Sequence, residues 1–173
     1  MSIKVKFWGV RGSLATPGSD YIEFGGNTSC VEMVCGDKRL VFDAGTGIRG
    51  LGTQFIEQDI KSADIYLSHS HWDHISGFPF FNPALIDGFA FNIWAGHLLP
   101  RHTIKDILSG QMTQPFFPVP IEIMKADMNF HDFKAGETLD GGADKDGNPI
   151  VLKTIPLNHP NGATGYRVEY KGS

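Results

Sequence analysis

Residues 69–74 read His-Ser-His-Trp-Asp-His, so four potential metal donors, His69, His71, Asp73 and His74, fall within six positions just after the apolar run Ile65-Tyr66-Leu67. Side chains on extended backbone alternate with period 2, so a strand continuing past Leu67 projects His69 and His71 to one side, where they can grip one cation together. A turn beginning at Trp72 would swing Asp73 and His74 to a neighbouring position, where a carboxylate and an imidazole suit a second divalent ion. Two such ions about 3.5–4 Å apart can share a bridging hydroxide. The competing reading is an exposed loop that happens to hold histidines, and the density of donors argues against it. His159, in Leu157-Asn158-His159-Pro160-Asn161-Gly162, follows another apolar run in the same manner. It is the natural remote third ligand for the first cation, although taken alone it reads equally well as a surface-loop histidine. Closed structural zinc sites take four protein ligands, whereas three histidines plus water is the open, catalytic arrangement, in which the ion lowers the pKa of bound water to about 7. His97, His102 and His131 stand in unpatterned settings and are expected to pack or face solvent.

The elements that must position these donors are short. Ile3–Val10 and Thr28–Cys35 alternate apolar and polar residues, and Arg39–Phe42 is a brief apolar strand after the Gly36-Asp37 turn, which predicts a three-stranded meander. Past Asp43-Ala44-Gly45-Thr46-Gly47, the spacing of Ile48, Leu51, Phe55, Ile56 and Ile60 predicts a helix that hands over to a strand at Ala63–Leu67. Phe78-Pro79-Phe80-Phe81-Asn82-Pro83 is too broken by proline for a regular element and suits a pocket wall. Phe89–Trp94 reads as a strand and Thr103–Met112 as a helix. Gln114–Pro120, rich in proline and phenylalanine, reads either as an aromatic loop over a site or as plain core packing. Strands return at Asn129–Phe133, Ile150–Ile155 and Gly165–Tyr170, with Asp140–Asn148 read as a polar, glycine-rich turn.

Composition sets the frame. A chain of 173 residues, with 41% hydrophobic and 20% charged residues, has the size and apolar content of one folded domain rather than a disordered chain. The net charge of −4, without a basic run, argues against a large nucleic-acid surface or an anionic membrane as partner. No span approaches the roughly 20 apolar residues of a membrane helix, and the first residues lead directly into an alternating pattern, so a cytoplasmic protein is expected. Cys30 and Cys35 fit neither a disulfide framework nor a C-x-x-C metal pattern and are expected to be packed thiols.

The run HSHWDH followed by Ile75-Ser76-Gly77, the upstream Phe42-Asp43-Ala44-Gly45-Thr46-Gly47 and the earlier Gly25-Gly26-Asn27-Thr28-Ser29-Cys30 together resemble the metallo-β-lactamase superfamily. Within it they are most similar to the phosphodiesterase-like and ribonuclease-Z-like hydrolases. The resemblance implies an α/β (α+β) fold, the αββα sandwich, with a site at one edge between the sheets. It matches His69, His71 and His159 to the ligands of a first metal and Asp73 and His74 to those of a second. It matches Asp43 to an aspartate held behind a liganding histidine, where a carboxylate fixes the ring's tautomer; capping of the following helix is the alternative role. Arg11, on a loop after the first strand, is a candidate for a substrate phosphate, since guanidinium pairs with phosphate bidentately, with a structural or solvated role equally open.

Members of the superfamily also supply a bridging aspartate on a later strand and a further histidine, and neither follows within this sequence. The second metal site therefore reads as incomplete, and the expectation is one domain over residues 1–173 that is a piece of a longer protein. Exposed strand edges would then favour homo-oligomers. Two divalent ions are implied for the superfamily, zinc foremost, with manganese or iron as alternatives; this chain is expected to hold one or none. The expected function is hydrolysis of a small cyclic or nucleotide-type phosphodiester by a metal-bound hydroxide that Asp73 helps to orient. Hydrolysis of an ester, lactone or thioester at the same centre is a second reading, and a non-catalytic metal-binding module a third. A di-iron redox centre is disfavoured, because related oxidoreductases usually carry glutamate where His71 stands.

Overall fold

The meander expected from the first alternating runs forms β1 (Lys4–Gly9), β2 (Cys30–Cys35) and β3 (Lys38–Phe42), antiparallel neighbours in a computed structural model that describes residues 3–173. Helix α1 (Ile48–Glu57) then crosses over, so that β4 (Ser62–Leu67) pairs parallel to β3. The one-turn helix α2 (Trp72–Ile75), β5 (Ala90–Ala95), α3 (Ile104–Gln111) and β6 (Asp127–Asp132) follow. The first sheet runs β1-β2-β3-β4-β5-β6, with β3 to β6 mutually parallel. A second, antiparallel sheet contains β7 (Thr138–Ala143), β8 (Pro149–Leu157) and β9 (Ala163–Tyr170).

Period-2 alternation decides which residues meet which layer. On one face of the large sheet, Val41, Ile65, Leu67, Phe91 and Ile93 are buried with Ile48, Leu51 and Phe55 of α1 and Ile104 and Leu108 of α3. On the other, Leu40 and Tyr66, with Phe42 and Trp94 packed against them, meet Leu139, Ile150, Leu152 and Tyr170 of the small sheet. The layers are thus helices, large sheet and small sheet, with two separate apolar cores. Among the described residues, no helical residue joins the core beneath the small sheet. The apolar stripe of α1 needs no side-chain cap, whereas α3 is started by a capping box between Thr103 and Asp106.

Two expectations are corrected. β7 occupies Thr138–Ala143 and so takes in the first residues of Asp140–Asn148, whose glycines and aspartates suggested only a turn. Leu139 is buried under β8 and holds the strand in place, and the polar turn is confined to the residues after Ala143. Phe78–Pro83 is not a pocket wall: it forms two 3-10 turns whose Phe78 and Phe81 are buried against α1, the Phe55 and Phe81 rings meeting edge to face at 6.2 Å. Cys30 and Cys35 are buried free thiols, as expected, and burial pushes both upward in pKa. Among the described residues, no helix is long and apolar enough to cross a membrane.

Parallel strands aim their carboxyl ends at the same sheet edge, and ligands of open α/β sheets bind outside those ends. Here β3, β4 and β5 all end on the edge where Asp43, His69 and His97 emerge.

Candidate metal centre

His69, His97 and His159 each stand two residues beyond a strand end, at Leu67, Ala95 and Leu157, and Asp43 stands one beyond Phe42. The chain bends at Ser68, and His71 is extended (ψ 152°) before α2 begins at Trp72; the His69 and His71 rings come to one side, as their spacing predicts. The ring centroids are 4.6 Å apart for His69 and His71, 4.4 Å for His69 and His159, and 4.9 Å for His71 and His159. One ligand atom from each of these residues lies within 4.8 Å of the others, and His159 Nε2 is 3.2 Å from His71 Nδ1. Nitrogens bound tetrahedrally to one zinc ion stand about 3.3 Å apart, given Zn–N bonds near 2.0–2.1 Å. The donor set fits a divalent cation.

His159 arrives from the small sheet, and two hydrogen bonds pin that sheet to the end of β4. The Thr164 amide donates to the Ser68 carbonyl at 2.7 Å, and the Tyr166 hydroxyl donates to the Leu67 carbonyl at 2.8 Å. The turn between β8 and β9 is thereby held over the histidine run, and Asn161 Nδ2 lies 3.4 Å from His71 Nε2.

Asp43 organises the rings from below. It is 5% exposed and adopts φ 65°, a left-handed conformation that aspartate tolerates and that turns its carboxylate under the end of β4. That carboxylate accepts hydrogen bonds from the Ser68 amide (2.8 Å), the Ser68 hydroxyl (2.8 Å), the Ser29 hydroxyl (2.9 Å) and His74 Nδ1 (2.7 Å). A carboxylate can only accept, so His74 carries a proton on Nδ1. Ser68 has one hydroxyl proton and gives it to Asp43. Its oxygen, 3.1 Å from His69 Nδ1, accepts from that ring, which leaves His69 Nε2 bare. The alternative role for Asp43 is not observed: α1 has Gly47 at its N-cap and no side-chain cap.

Asp73 and His74 stand beside the three histidines rather than among them. The His69 and His74 rings are 4.0 Å apart, and His74 Nε2 is 3.3 Å from Asp73 Oδ2, which also accepts the Ser13 amide at 2.7 Å. Two protein donors are therefore present at the second position. The loops are fitted backbone to backbone here: the Ala44 amide donates to the His74 carbonyl at 2.7 Å and the Gly77 amide to the Ala44 carbonyl at 3.0 Å. A Cβ on Gly45 would collide with the Asp73 carbonyl, so glycine is required for this close approach.

The electrostatics separate the two halves. Burial, reinforced by His74, His159 and His71, lowers the His69 pKa to about 4, which keeps it neutral and available as a ligand at neutral pH. Burial also acts to lower His74, but the Asp43 hydrogen bond and charge outweigh it and raise the pKa. Burial acts to raise Asp73, yet the Ser13 amide and the His74 charge hold it below the ordinary carboxylate range.

Arg11 lies apart from this cluster. Its Nε donates to the Gly25 carbonyl at 2.9 Å and its guanidinium sits 5.0 Å from the Tyr21 ring centroid, so it braces the loop that carries Ser13 to Asp73. His131 stacks on Trp94 at 4.0 Å, a packing role as expected. His97, expected to pack or face solvent, adjoins the cluster: its Nε2 is 3.2 Å from the hydroxyl of Ser70, between His69 and His71, and burial lowers its pKa to about 4. The Gln114–Pro120 loop divides: Phe117 meets Phe80 edge to face at 5.7 Å against the helical core, whereas Phe116 is exposed beside Trp72.

No protein-family profile and no curated protein matches the sequence. Solved structures do match. A diphosphatase of the PhnP family is 17% identical with a TM-score of 0.63, covering 96% of this chain and 62% of that one. The metallo-β-lactamase fold protein YhfI of Bacillus subtilis is 19% identical with a TM-score of 0.64, covering 98% and 59%. The short form of human tRNase Z is 18% identical with a TM-score of 0.58, covering 97% and 65%. The chain thus spans about three fifths of the length of these proteins. From the strand order, the two facing sheets and these likenesses together, the chain has the metallo-β-lactamase fold.

Proposed function

We propose that the chain is a metal-dependent hydrolase whose substrates are small phosphodiesters. The observation that carries this reading is the convergence of His69, His71 and His159 from two sheets onto one point, with Asp43 and Ser68 fixing ring tautomers behind them. A divalent cation, zinc foremost, would supply Lewis acidity there, activating water and neutralising charge that develops on phosphoryl oxygens. The chain's own residues do the positioning. His69, His71 and His159 hold the ion, and Asp73 and His74 offer the donors for a second. Asp73, ionised at neutral pH, accepts a proton-bearing group at Oδ1 while Oδ2 stays on the Ser13 amide, and so orients the attacking water. The His69 ring stays neutral because it is buried and its neighbours are themselves imidazoles.

Phosphodiesters are favoured over lactones, esters and thioesters by analogy: the similar solved structures include a diphosphatase and a tRNase Z. A small substrate in a cytoplasmic setting is favoured over a nucleic-acid polymer by the net charge of −4 without a basic track.

The test is metal analysis joined to a substrate panel. Purified chain should contain about one equivalent of zinc or manganese, and His69→Ala with His71→Ala should remove it. Bis(p-nitrophenyl) phosphate should be turned over faster than a lactone or a β-lactam when either ion is added. Unchanged metal content in the double variant rejects the ligand assignment. Bound metal without turnover of any substrate supports the non-catalytic reading, for which the two-donor second position is the structural argument.

A further inference from the structure

Two clefts flank α2 on the side away from Asp43. The first, of about 650 Å³, opens at His71 and is lined by Ser70, Trp72, His97, Arg101, His102 and Asn161 among others. The second, of about 380 Å³, is lined by Trp72, Ile75, Ile107, Gln111 and Phe116 among others. They share Ser70, Trp72 and Ile107, so the Trp72 indole and the Ile107 side chain form the ridge between them.

Their chemistry differs. Although the chain carries a net charge of −4, no carboxylate lines either cleft, and Arg101 in the first is the one permanently charged side chain in both linings. The second cleft contains no charged residue and is walled by aromatic and branched side chains. Trp72 and Phe116 are 74% and 84% exposed, and together they present aromatic surface to the second cleft. Trp72 opens α2 between His71 and Asp73, and Phe116 adjoins Phe117, whose ring meets Phe80 edge to face. The wall of the first cleft is fixed by the hydrogen bond between His97 and Ser70.

We propose that the two clefts are subsites for one substrate, an anionic phosphodiester bearing an aromatic or bulky apolar substituent. The charged phosphate lies in the first cleft between His71 and Arg101, whose guanidinium pairs with two phosphate oxygens. The apolar substituent crosses the Trp72 ridge and stacks in the second cleft against Trp72 and Phe116. The placement of the phosphate beside His71 rests on the hydrolase reading above; the preference for an apolar substituent does not.

The experiment compares diphenyl phosphate with dimethyl phosphate, monoanions of equal charge that differ in apolar area. Each is titrated by ligand-observed NMR into the zinc-supplemented and the metal-free chain, with zinc content measured on the same samples. Diphenyl phosphate should bind about tenfold more tightly. Trp72→Ala should bring the two esters within about twofold, and Trp72→Phe should restore most of the difference, because a benzene ring still stacks. Arg101→Gln should weaken both esters several-fold by a similar factor. Equal or undetectable binding of the two esters, or a preference that survives Trp72→Ala, overturns the proposal. An aryl preference in a chain that takes up no zinc upholds this inference and rejects the metal centre; stoichiometric zinc without an aryl preference does the reverse.

Discussion

The two halves of the histidine cluster are built on opposite principles. At His69, His71 and His159, imidazole nitrogens converge on one point, and burial with the neighbouring rings favours the neutral form of His69. At Asp73 and His74 the donors are already partnered: His74 to Asp43 and Asp73, and Asp73 to the Ser13 amide. The first half is a set of three imidazoles whose ligand atoms lie within 4.8 Å of one another, a donor set that suits one cation. The second half is internally neutralised, so a cation there must displace an existing ion pair and finds two protein donors. The lesson is that adjacent residues of one motif can differ in metal affinity because of what stands behind them, and that the first ion should bind more tightly than a second.

The largest effect expected from breaking this asymmetry comes from His159→Ala. It removes the one donor supplied by the small sheet and should abolish stoichiometric zinc binding by metal analysis, while far-UV circular dichroism stays unchanged. Asp43→Asn should come next. It places an amide where four donors converge, so the rings lose their tautomer lock; zinc affinity measured by chelator competition should fall about 10–100-fold, and thermal stability should fall with it.

Acidification probes the same contrast in the metal-free chain. His69 and His97 have pKa values of about 4 in the folded state against 6.5 for the free side chain. Between those values the unfolded chain binds protons that the folded chain refuses, so stability declines as pH falls from 6.5 toward 4. His74 has the opposite sign: its raised pKa contributes stability below 6.5 that is lost as pH rises through the folded-state value. Two histidines outweigh one, and the urea midpoint should be lower at pH 4.5 than at pH 7.

A smaller effect is expected for Tyr166→Phe, which deletes the hydroxyl bonded to the Leu67 carbonyl. Stability should drop by about 0.5–1.5 kcal/mol in urea titrations, with a modest loss of zinc affinity as His159 loosens. The smallest effect should be that of Asp73→Asn on the first ion: one equivalent of zinc should remain bound within about threefold of the original affinity. Loss of that equivalent would show that the halves are a single site.

Much of this was legible in the residues. Period 2 through His71 and a turn at Trp72 follow from local sequence, and so do the meander and α1, because each is a local pattern. His97 was not, since its neighbour Ser70 is brought to it by the parallel pairing of β4 with β5 and by nothing near it in sequence. β7 was hidden because its turn-forming glycines carry it while one buried leucine, Leu139, holds it down. The structural alternative for Arg11 could not be specified, because cation-π contact with Tyr21 and a carbonyl bond have no spacing signature.

The bonds from Thr164 and Tyr166 to the end of β4 tie reactivity to maturation of the whole molecule. A nascent chain whose larger sheet has formed owns His69 and His71 but lacks the imidazole that arrives 88 residues later. The three-imidazole cluster is thus completed only when both layers have closed.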